Sequence, residues 1–215
     1  VGNGRNDGVT RVYGASQDGH VYEFTYTSGV WEKVDIGSGS DHLSSIAIGN
    51  GRNDGVMRVY AGEAGYTYNG LYEFSYSGGI WSKSVIGGWG AQGVVVGNGR
   101  NDGVMRVYSP NSHSACTYEK TYSGFWNADD CSMFGAFGTN HLVIGNGRND
   151  WVIRIYAEAT SSDRYILEAT YSGAAWSYSN VGSADGVSRM ALGNGRNDGV
   201  MRIYQNDSNY IFSEY

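Results

Sequence analysis

The sequence predicts an all-β chain folded as a five-bladed β-propeller, in which each blade is a four-stranded antiparallel sheet. The first observation is a loop, GNGRNDGV, that begins at Gly2, Gly49, Gly97 and Gly193 and recurs as GNGRNDWV at Gly145. Its period of 47 to 48 residues is typical of propeller repeats. The segments between the loops are short, rich in Val, Ile, Tyr, Phe and Trp, and bounded by Gly, Ser and Asn, which favours strands.

Each repeat supplies four strands, labelled a to d in chain order. Strand a is expected nearest the axis, where small and β-branched side chains fit, as in SSIAIG, GVVVG, HLVIG and RMALG. Strand b is then VMRVY, strand c YEFSYS and strand d WSKSVI. We expect one domain spanning 1–215, with repeats at about 1–42, 43–90, 91–138, 139–186 and 187–215.

The fifth repeat contains segments for strands a, b and c but none for strand d before Tyr215. Val1 already begins strand a of the first repeat, so the N-terminus is not expected to supply the missing strand. An unpaired edge is a template for another strand. Three interpretations stay open: a chain cut from a longer one, a blade that stays short, or a strand donated by another molecule, which would build a stack or filament.

Composition limits the classes of partner. The net charge of −6 and the pI near 5.1 argue against nucleic acid and anionic membranes, which attract basic surfaces. No apolar run approaches the roughly 18–20 residues that span a bilayer, so no membrane insertion is expected. The sequence starts inside a repeat, and we expect any signal peptide to have been removed or never present.

The repeated loop has the layout of a calcium-binding loop. Asn3-x-Arg5-x-Asp7-Gly8 follows the pattern D-x-[DN]-x-[DN]-G, in which side-chain oxygens converge on a cation. It resembles the cation-binding loops of FG-GAP (integrin-like) propeller repeats, which lie between strands a and b. Here Arg stands at the third position and Arg11 near the later ligand position, and a guanidinium cannot ligate a cation.

We therefore expect the arginines to replace the cation by pairing with Asp7, or with Glu23 across strands b and c, as planar bidentate clips. Five calcium sites are the alternative; no metal and no cofactor is expected. The predicted structural clip consists of Arg5, Asp7, Arg11, Arg52, Asp54, Arg58, Arg100, Asp102, Arg106, Arg148, Asp150, Arg154, Arg196, Asp198 and Arg202. The recurring carboxylates that accompany it are Glu23, Glu73, Glu119 and Glu168.

Both cysteines fall in the third repeat. If YSGFW is the turn between strands c and d, Tyr122 faces Phe125, and counting outward places Cys116 opposite Cys131, close enough to bridge. A cross-strand disulfide implies an oxidising compartment, so we expect an extracellular or cell-surface protein. Two buried free thiols are the alternative, and a CxxC redox or zinc pattern is absent from the sequence.

Catalysis is not expected. The four histidines, His20, His42, His113 and His141, are interpreted as residues of variable loops with no fixed relation to a nucleophile or a metal-type cluster. The recurring glutamates fall one per blade, which is farther apart than the ~5–10 Å of a glycosidase pair. They are better interpreted as partners of the repeated arginines.

Propeller geometry places the a–b and c–d turns on one face and the b–c and d–a connections on the other. The first pair is nearly constant here, whereas the second varies between repeats, which is typical of ligand-binding loops on a rigid scaffold. Neutral variation in solvent is the alternative. Six residues that break the repeat pattern are the candidate ligand contacts: Trp89, Tyr66, Tyr68, His113, Phe134 and Phe137.

The remaining aromatic residues are mostly assigned to packing between blades. They comprise Trp31, Trp81, Trp126 and Trp176 at the start of strand d, and Tyr13, Tyr60, Tyr108, Tyr156 and Tyr204 at the end of strand b. Trp151 replaces a turn glycine on the constant face. It is either a contact point or a tolerated exception.

The run IWSKSVIGGWG resembles the Trp-to-Ile-Gly-Gly-Trp stretch of tachylectin-type five-bladed propeller lectins. The likeness covers one repeat, since VWEKVDIGSGS and AWSYSNVGSAD lack the second Trp, and the GNGRNDG loop is foreign to that family. The resemblance implies several sites for N-acetylated sugars. We expect a non-catalytic, multivalent module that binds glycans or cell-surface glycoconjugates through the variable face; the alternative is a structural or protein-interaction module that self-associates, or accepts a strand from another protein, at blade five.

Overall fold

The computed structural model describes residues 1–63, 70–88, 93–111, 116–128, 131, 133, 139–159, 164–183, 189–206 and 212–215. Within these ranges the chain forms strands and no helix, so it also contains no helix of the length and hydropathy that a bilayer crossing requires. The strands form five antiparallel sheets, one from each repeat. The all-β prediction is confirmed, and we number the sheets as blades one to five.

The strand bounds follow the repeat. Blade one contains β1 (Val12–Ala15), β2 (His20–Thr27) and β3 (Val30–Ser38). Blade two contains β4 (Leu43–Gly49), β5 (Arg58–Glu63), β6 (Gly70–Ser77) and β7 (Ile80–Gly88). Blade three contains β8 (Val95–Gly97), β9 (Arg106–Asn111) and β10 (Cys116–Lys120). Blade four contains β11 (Thr139–Gly145), β12 (Arg154–Ala159), β13 (Tyr165–Tyr171) and β14 (Trp176–Ser183). Blade five contains β15 (Arg189–Gly193), β16 (Arg202–Asn206) and β17 (Phe212–Glu214).

The prediction of four strands per blade is wrong for blades one and three in the part of the chain described. Strand a of blade one is reduced to a single bridge between Gly2 and Arg11, because only Val1 precedes the loop. In blade three, strand d is reduced to isolated bridges. Asn127 accounts for this locally: its side chain accepts from the backbone N–H of Thr121 at 2.8 Å and donates to the carbonyl of Glu119. It thereby replaces ladder hydrogen bonds.

The predicted register of the third c–d turn is also wrong, although the disulfide is present. Tyr122 pairs with Trp126 rather than Phe125, so the turn contains one residue more than the count assumed. Cys116 and Cys131 are nevertheless joined, with their Cα atoms 5.4 Å apart. The bond links strand c to a segment that has little ladder pairing of its own.

The apolar core lies between successive blades rather than within them. Four clusters of buried side chains join blade one to two, two to three, three to four and four to five. Near the axis, each strand a packs on its neighbour through a glycine: a Cβ at Gly49 or Gly97 would lie 2.5 Å from Val96 or Ile144 of the next blade. These contacts explain the glycine that begins the repeated loop.

Candidate functional site

Each repeated loop is closed by an arginine clip. In blade one, Arg11 Nη1 and Nη2 donate to Asp7 Oδ1 and Oδ2 at 2.8 and 2.6 Å. The same bidentate pair forms in the other blades as Arg58–Asp54, Arg106–Asp102, Arg154–Asp150 and Arg202–Asp198. Hydrogen bonds from the guanidinium groups lower the pKa of Asp54, Asp102, Asp150 and Asp198 to about 2. In each loop the arginine guanidinium therefore binds both oxygens of the carboxylate that a cation would need as a ligand.

A second arginine joins blades one, two and three to the blade that follows each of them. Arg5 Nε donates to Glu23 Oε2 at 3.0 Å in its own blade, and Nη1 donates to Tyr76 Oη of blade two at 3.3 Å. Its guanidinium carbon lies 4.7 Å from the centre of the Tyr76 ring, a cation–π contact. Glu23 is fully buried and also accepts from Tyr13 Oη. The arrangement repeats as Arg52–Glu73–Tyr122 and Arg100–Glu119–Tyr171.

The loop asparagine makes a further bridge between blades. Asn6 adopts a left-handed backbone conformation, with φ of 59°, which Asn tolerates better than most residues. Its side-chain amide accepts from the backbone N–H of Met57 in blade two at 2.6 Å and donates to the carbonyl of Met57 at 2.9 Å. Equivalent pairs join Asn53 to Met105, Asn101 to Ile153 and Asn149 to Met201. The GNGRND loop is therefore an inter-blade joint.

The structure describes little of the predicted ligand face. Trp89, Tyr66, Tyr68, His113, Phe134 and Phe137 all lie outside the described residues. No group of three or more His, Cys, Asp or Glu side chains that could hold a metal ion occurs in the ranges given above. Two of the histidines assigned to variable loops belong to strands: His20 begins β2, and His141 lies in β11 with its Nδ1 3.0 Å from Glu158 Oε2.

A shallow cleft, open to solvent over most of its surface, lies between the outer strands of blades one and two. Its polar wall is a pair in which His20 Nδ1 lies 2.7 Å from Asp35 Oδ2. Its apolar wall is Ile80 and Trp81 at the start of strand d of blade two. Lys83 of blade two donates from Nζ to the carbonyl of Ser38 at 2.6 Å and so ties the two walls together.

A β-bulge shapes the polar wall. The β2–β3 register shifts between Val21 and Tyr22, which leaves Ile36 as the extra residue, and Asp35 Oδ1 accepts from the Gly37 N–H at 2.9 Å. Gly37 has a φ of 138°, and a Cβ there would meet Phe74 of blade two at 2.8 Å. The bulge therefore holds Asp35 in place with one oxygen and leaves the other on His20.

Trp81 is packed from both blades. Its ring lies 6.3 Å from that of Tyr13 in blade one, edge to face, and 5.2 Å from that of Tyr76. Trp126 and Trp176 have equivalent contacts with Tyr60 and Tyr108. The inter-blade packing role assigned to these tryptophans is thus observed for three of the four. Trp31 differs, because it contacts Tyr26 of its own blade and is exposed.

The same position of the repeat carries different chemistry in other blades. In blade four a shallow, open cleft is lined by Arg164, Tyr165 and the segment 180–183. Tyr165 holds the register position of His20, and Asn180 that of Asp35, with its Oδ1 bound to the Gly182 N–H at 2.9 Å. In blade two, Gly70 and Val85 stand there. Sequence reasoning missed this site because it searched the loops; the signal was the change from Asp to Val to Asn within strand d.

No family model matches the sequence, and no curated protein matches it. Solved structures do match. One is the SapL1 lectin in complex with alpha methyl fucoside, with 21% identity and a TM-score of 0.60, covering 98% of this chain and 73% of that one. A variant of the Aleuria aurantia lectin AAL in complex with Fucα1-6GlcNAc has 16% identity and a TM-score of 0.51, covering 95% and 69%. AofleA from Arthrobotrys oligospora has 18% identity and a TM-score of 0.52, covering 95% and 64%. At these identities the likeness shows the fold alone, that of a β-propeller.

Proposed function

We propose that this chain is a non-catalytic carbohydrate-binding module, a lectin-like propeller that holds glycans in the clefts between outer strands and on the adjoining variable loops. The observation that carries the proposal is the cleft between blades one and two. It sets an apolar wall, Ile80 and Trp81, opposite a carboxylate and an imidazole, His20 with Asp35. A sugar offers the complementary pair, a C–H face and a rim of hydroxyl groups.

The polar wall of this cleft has a counterpart elsewhere in the repeat. The bulge and its glycine recur in blade four, where Asn180 and Tyr165 replace the acid and the imidazole. Similar weak sites on one rigid scaffold gain avidity for a surface that presents many copies of a glycan. Two of the matching structures are complexes with fucose-containing ligands, which favours the same class of ligand for this chain.

Binding is proposed to need no metal, because arginines occupy the carboxylates of the loops that resemble calcium sites. A secreted or cell-surface location accompanies the proposal, since the disulfide between Cys116 and Cys131 persists in an oxidising compartment. The glycans or glycoconjugates of another surface are then the partners.

The test is a glycan array on the purified chain, with and without EDTA, followed by calorimetry on the bound glycan. Asp35→Asn is the informative variant, because blade four already has an asparagine, Asn180, at this position. Its Oδ1 still accepts from the N–H of Gly182, two residues further along the chain. Losing the charged acceptor should weaken binding about tenfold or more. Glu32→Gln, an exposed change on the same strand outside the cleft, should leave the affinity unchanged.

The proposal fails if no array glycan binds. Binding that ignores Asp35→Asn would move the site away from this cleft. A structural or protein-interaction module is the second candidate, favoured by blade five, whose described sheet ends with the short strand β17 as its third member. Light scattering on the same sample distinguishes them, since a defined oligomer without sugar binding would favour assembly.

A further inference from the structure

A small pocket, the axial pocket, lies where strands a of blades two to five come together. These strands contact one another in order, β4 with β8, β8 with β11 and β11 with β15. Among the described residues, the axial pocket shares no lining residue with either of the outer clefts. It is therefore a separate site, and an inference about it does not rest on the proposed glycan clefts.

One residue of each of these blades lines the axial pocket from the same position of the repeat, at intervals of 48 residues. Small side chains suit this position because strand a is crowded near the axis, and blades two and three have Ser45 and Gly93 there. A Cβ at Gly93 would lie 2.8 Å from the carbonyl oxygen of Asn140 in blade four. Blades four and five instead carry two large basic side chains, His141 and Arg189.

The two basic side chains are held in one hydrogen-bonded group. His141 Nδ1 lies 3.0 Å from Glu158 Oε2, and Arg189 Nη1 lies 3.1 Å from His141 Nε2. A guanidinium can only donate, so Nε2 accepts, and the ring proton is on Nδ1, where it is donated to Glu158. His141 is therefore neutral in this arrangement. Glu158 is buried and does not line the pocket.

The charges of this group determine which ligand it favours. The charges of Arg189 and Glu158 cancel while His141 is neutral. Protonation of His141 would place an N–H on Nε2, against the N–H of Arg189, and leave one positive charge in excess. An anion between the two side chains removes both problems, because it accepts hydrogen bonds from the imidazolium and from the guanidinium and balances the added charge.

No other charged group is placed to take that role in the described part of the chain. Of the strands packed against β11, β12 supplies Glu158 and β15 supplies Arg189, while β8 and β9 supply no charged or titratable side chain that bonds His141. The described lining residues of blades two and three are two serines, two apolar residues and a glycine. The described lining therefore contains basic groups and no carboxylate.

We propose that the axial pocket binds the carboxylate of a small acid, with Arg189 and protonated His141 as its donors. A planar carboxylate matches the fork of N–H donors that a guanidinium presents. Ser44 and Ser45 line the pocket from blade two and suit an acid that also carries hydroxyl groups. Binding takes up a proton at His141, so the affinity increases as the pH falls. Both a simple organic acid and an acidic sugar carry this group.

The test is a proton NMR titration of the whole chain, which has four histidines. The probes are sodium acetate and sodium glucuronate at constant ionic strength, and glucose is the neutral control. The carboxylate probes should shift the imidazole signal that is absent from His141→Gln, and glucose should not. The dissociation constant should be about tenfold or more lower at about pH 5.5 than at about pH 8. Equal affinities for acetate and glucuronate would identify the carboxylate alone as the ligand, and tighter binding of glucuronate would identify an acidic sugar.

Three variants locate the site. Arg189→Gln should weaken binding about tenfold or more at both pH values, because a charged donor is lost. His141→Gln should bind weakly and without dependence on pH. Lys33→Gln removes the same charge from an exposed position outside the pocket and should leave the affinity unchanged. Neutral array glycans should bind Arg189→Gln and the parent equally, which separates failure of this site from failure of the outer clefts.

Three results would overturn the proposal. A His141 signal that responds to neither probe would mean that the group only joins blades four and five. Equal affinities at the two pH values would mean that binding does not protonate His141. A loss in Lys33→Gln as large as that in Arg189→Gln would mean that the probes respond to the net charge of the chain. If Arg189→Gln does not fold, the pH dependence of the parent and of His141→Gln still decides.

Discussion

Replacing Trp151 by glycine should stabilise the protein. Trp151 has a φ of 67°, in the left-handed region that a large side chain adopts only at a cost. The four equivalent residues, Gly8, Gly55, Gly103 and Gly199, are glycines with φ of 82–84°. The Trp151 side chain is 92% exposed, so its removal sacrifices almost no packing within the chain.

The expected gain follows from two opposing terms. A left-handed conformation costs an L-residue about 1–2 kcal/mol, which glycine avoids. Glycine in turn lowers the free energy of unfolding by roughly 0.5–1 kcal/mol, because it makes the unfolded chain more flexible. The net stabilisation is about 0.5–1 kcal/mol, and at roughly 2–4 °C per kcal/mol for a domain of this size the melting temperature should rise by about 1–4 °C.

Calorimetry and urea titration of Trp151→Gly measure this directly, with Gly103→Trp as the matched reverse change, expected to destabilise by a similar amount. A variant that is less stable than the parent would refute the reasoning, because it would require Trp151 to make stabilising contacts. Glycan binding should be unchanged, since Trp151 lines neither of the two clefts. Loss of binding in Trp151→Gly would instead place a contact on the constant face.

Three further outcomes are expected. Asn101→Ala removes two hydrogen bonds to Ile153 and should lower the free energy of unfolding in urea by about 1–3 kcal/mol. Asn197→Ala should cost clearly less, because no blade follows Asn197 in this chain. Equal losses in the two variants would contradict the role of the loop asparagine in joining blades. The pKa of carboxyl groups such as Asp54 is lowered to about 2 in the folded chain, so these groups stabilise the fold at any pH above their unfolded pKa of about 3.9. Melting temperatures should therefore hold down to about pH 4 and fall towards pH 2. A melting temperature that does not change with pH in this range would argue against the clips. Reducing the disulfide, which closes a separation of 15 residues, should cost about 2–4 kcal/mol in calorimetry, and an unchanged melt would show that it constrains little.

The repeat made the fold predictable. Five copies of one loop set the number of sheets, and the Val–Tyr and Trp runs set most strand positions, because alternating β-branched and aromatic residues report a half-buried strand. The failures are local. The side chain of Asn127 binds the backbone of strand c where strand d of blade three was predicted. The turn after Tyr122 is one residue longer than predicted. The periodicity of the sequence reports neither feature.

The site was harder to predict than the fold. The pairing of Asp7 could be anticipated, since Arg and Asp recur together, but the cleft depends on residues 15 positions apart, His20 and Asp35, and on Trp81 from the next repeat. Their proximity is created by the packing of two blades. The one signal in the sequence was the change from Asp35 to Val85 to Asn180 at the same position of strand d. Such a change is hard to distinguish from ordinary variation at the surface.

Because every joint connects only adjacent blades, the molecule behaves as a nearly one-dimensional chain of coupled units. Blades two, three and four each have two neighbours, whereas one side of blade one and one side of blade five is uncovered. Cooperative unfolding should then advance inward from those two blades, with amide exchange fastest in β1 and β16 and slowest in β9 and β12. The identical joints also let repeats be exchanged or duplicated with little penalty, so new cleft chemistry can accumulate one blade at a time.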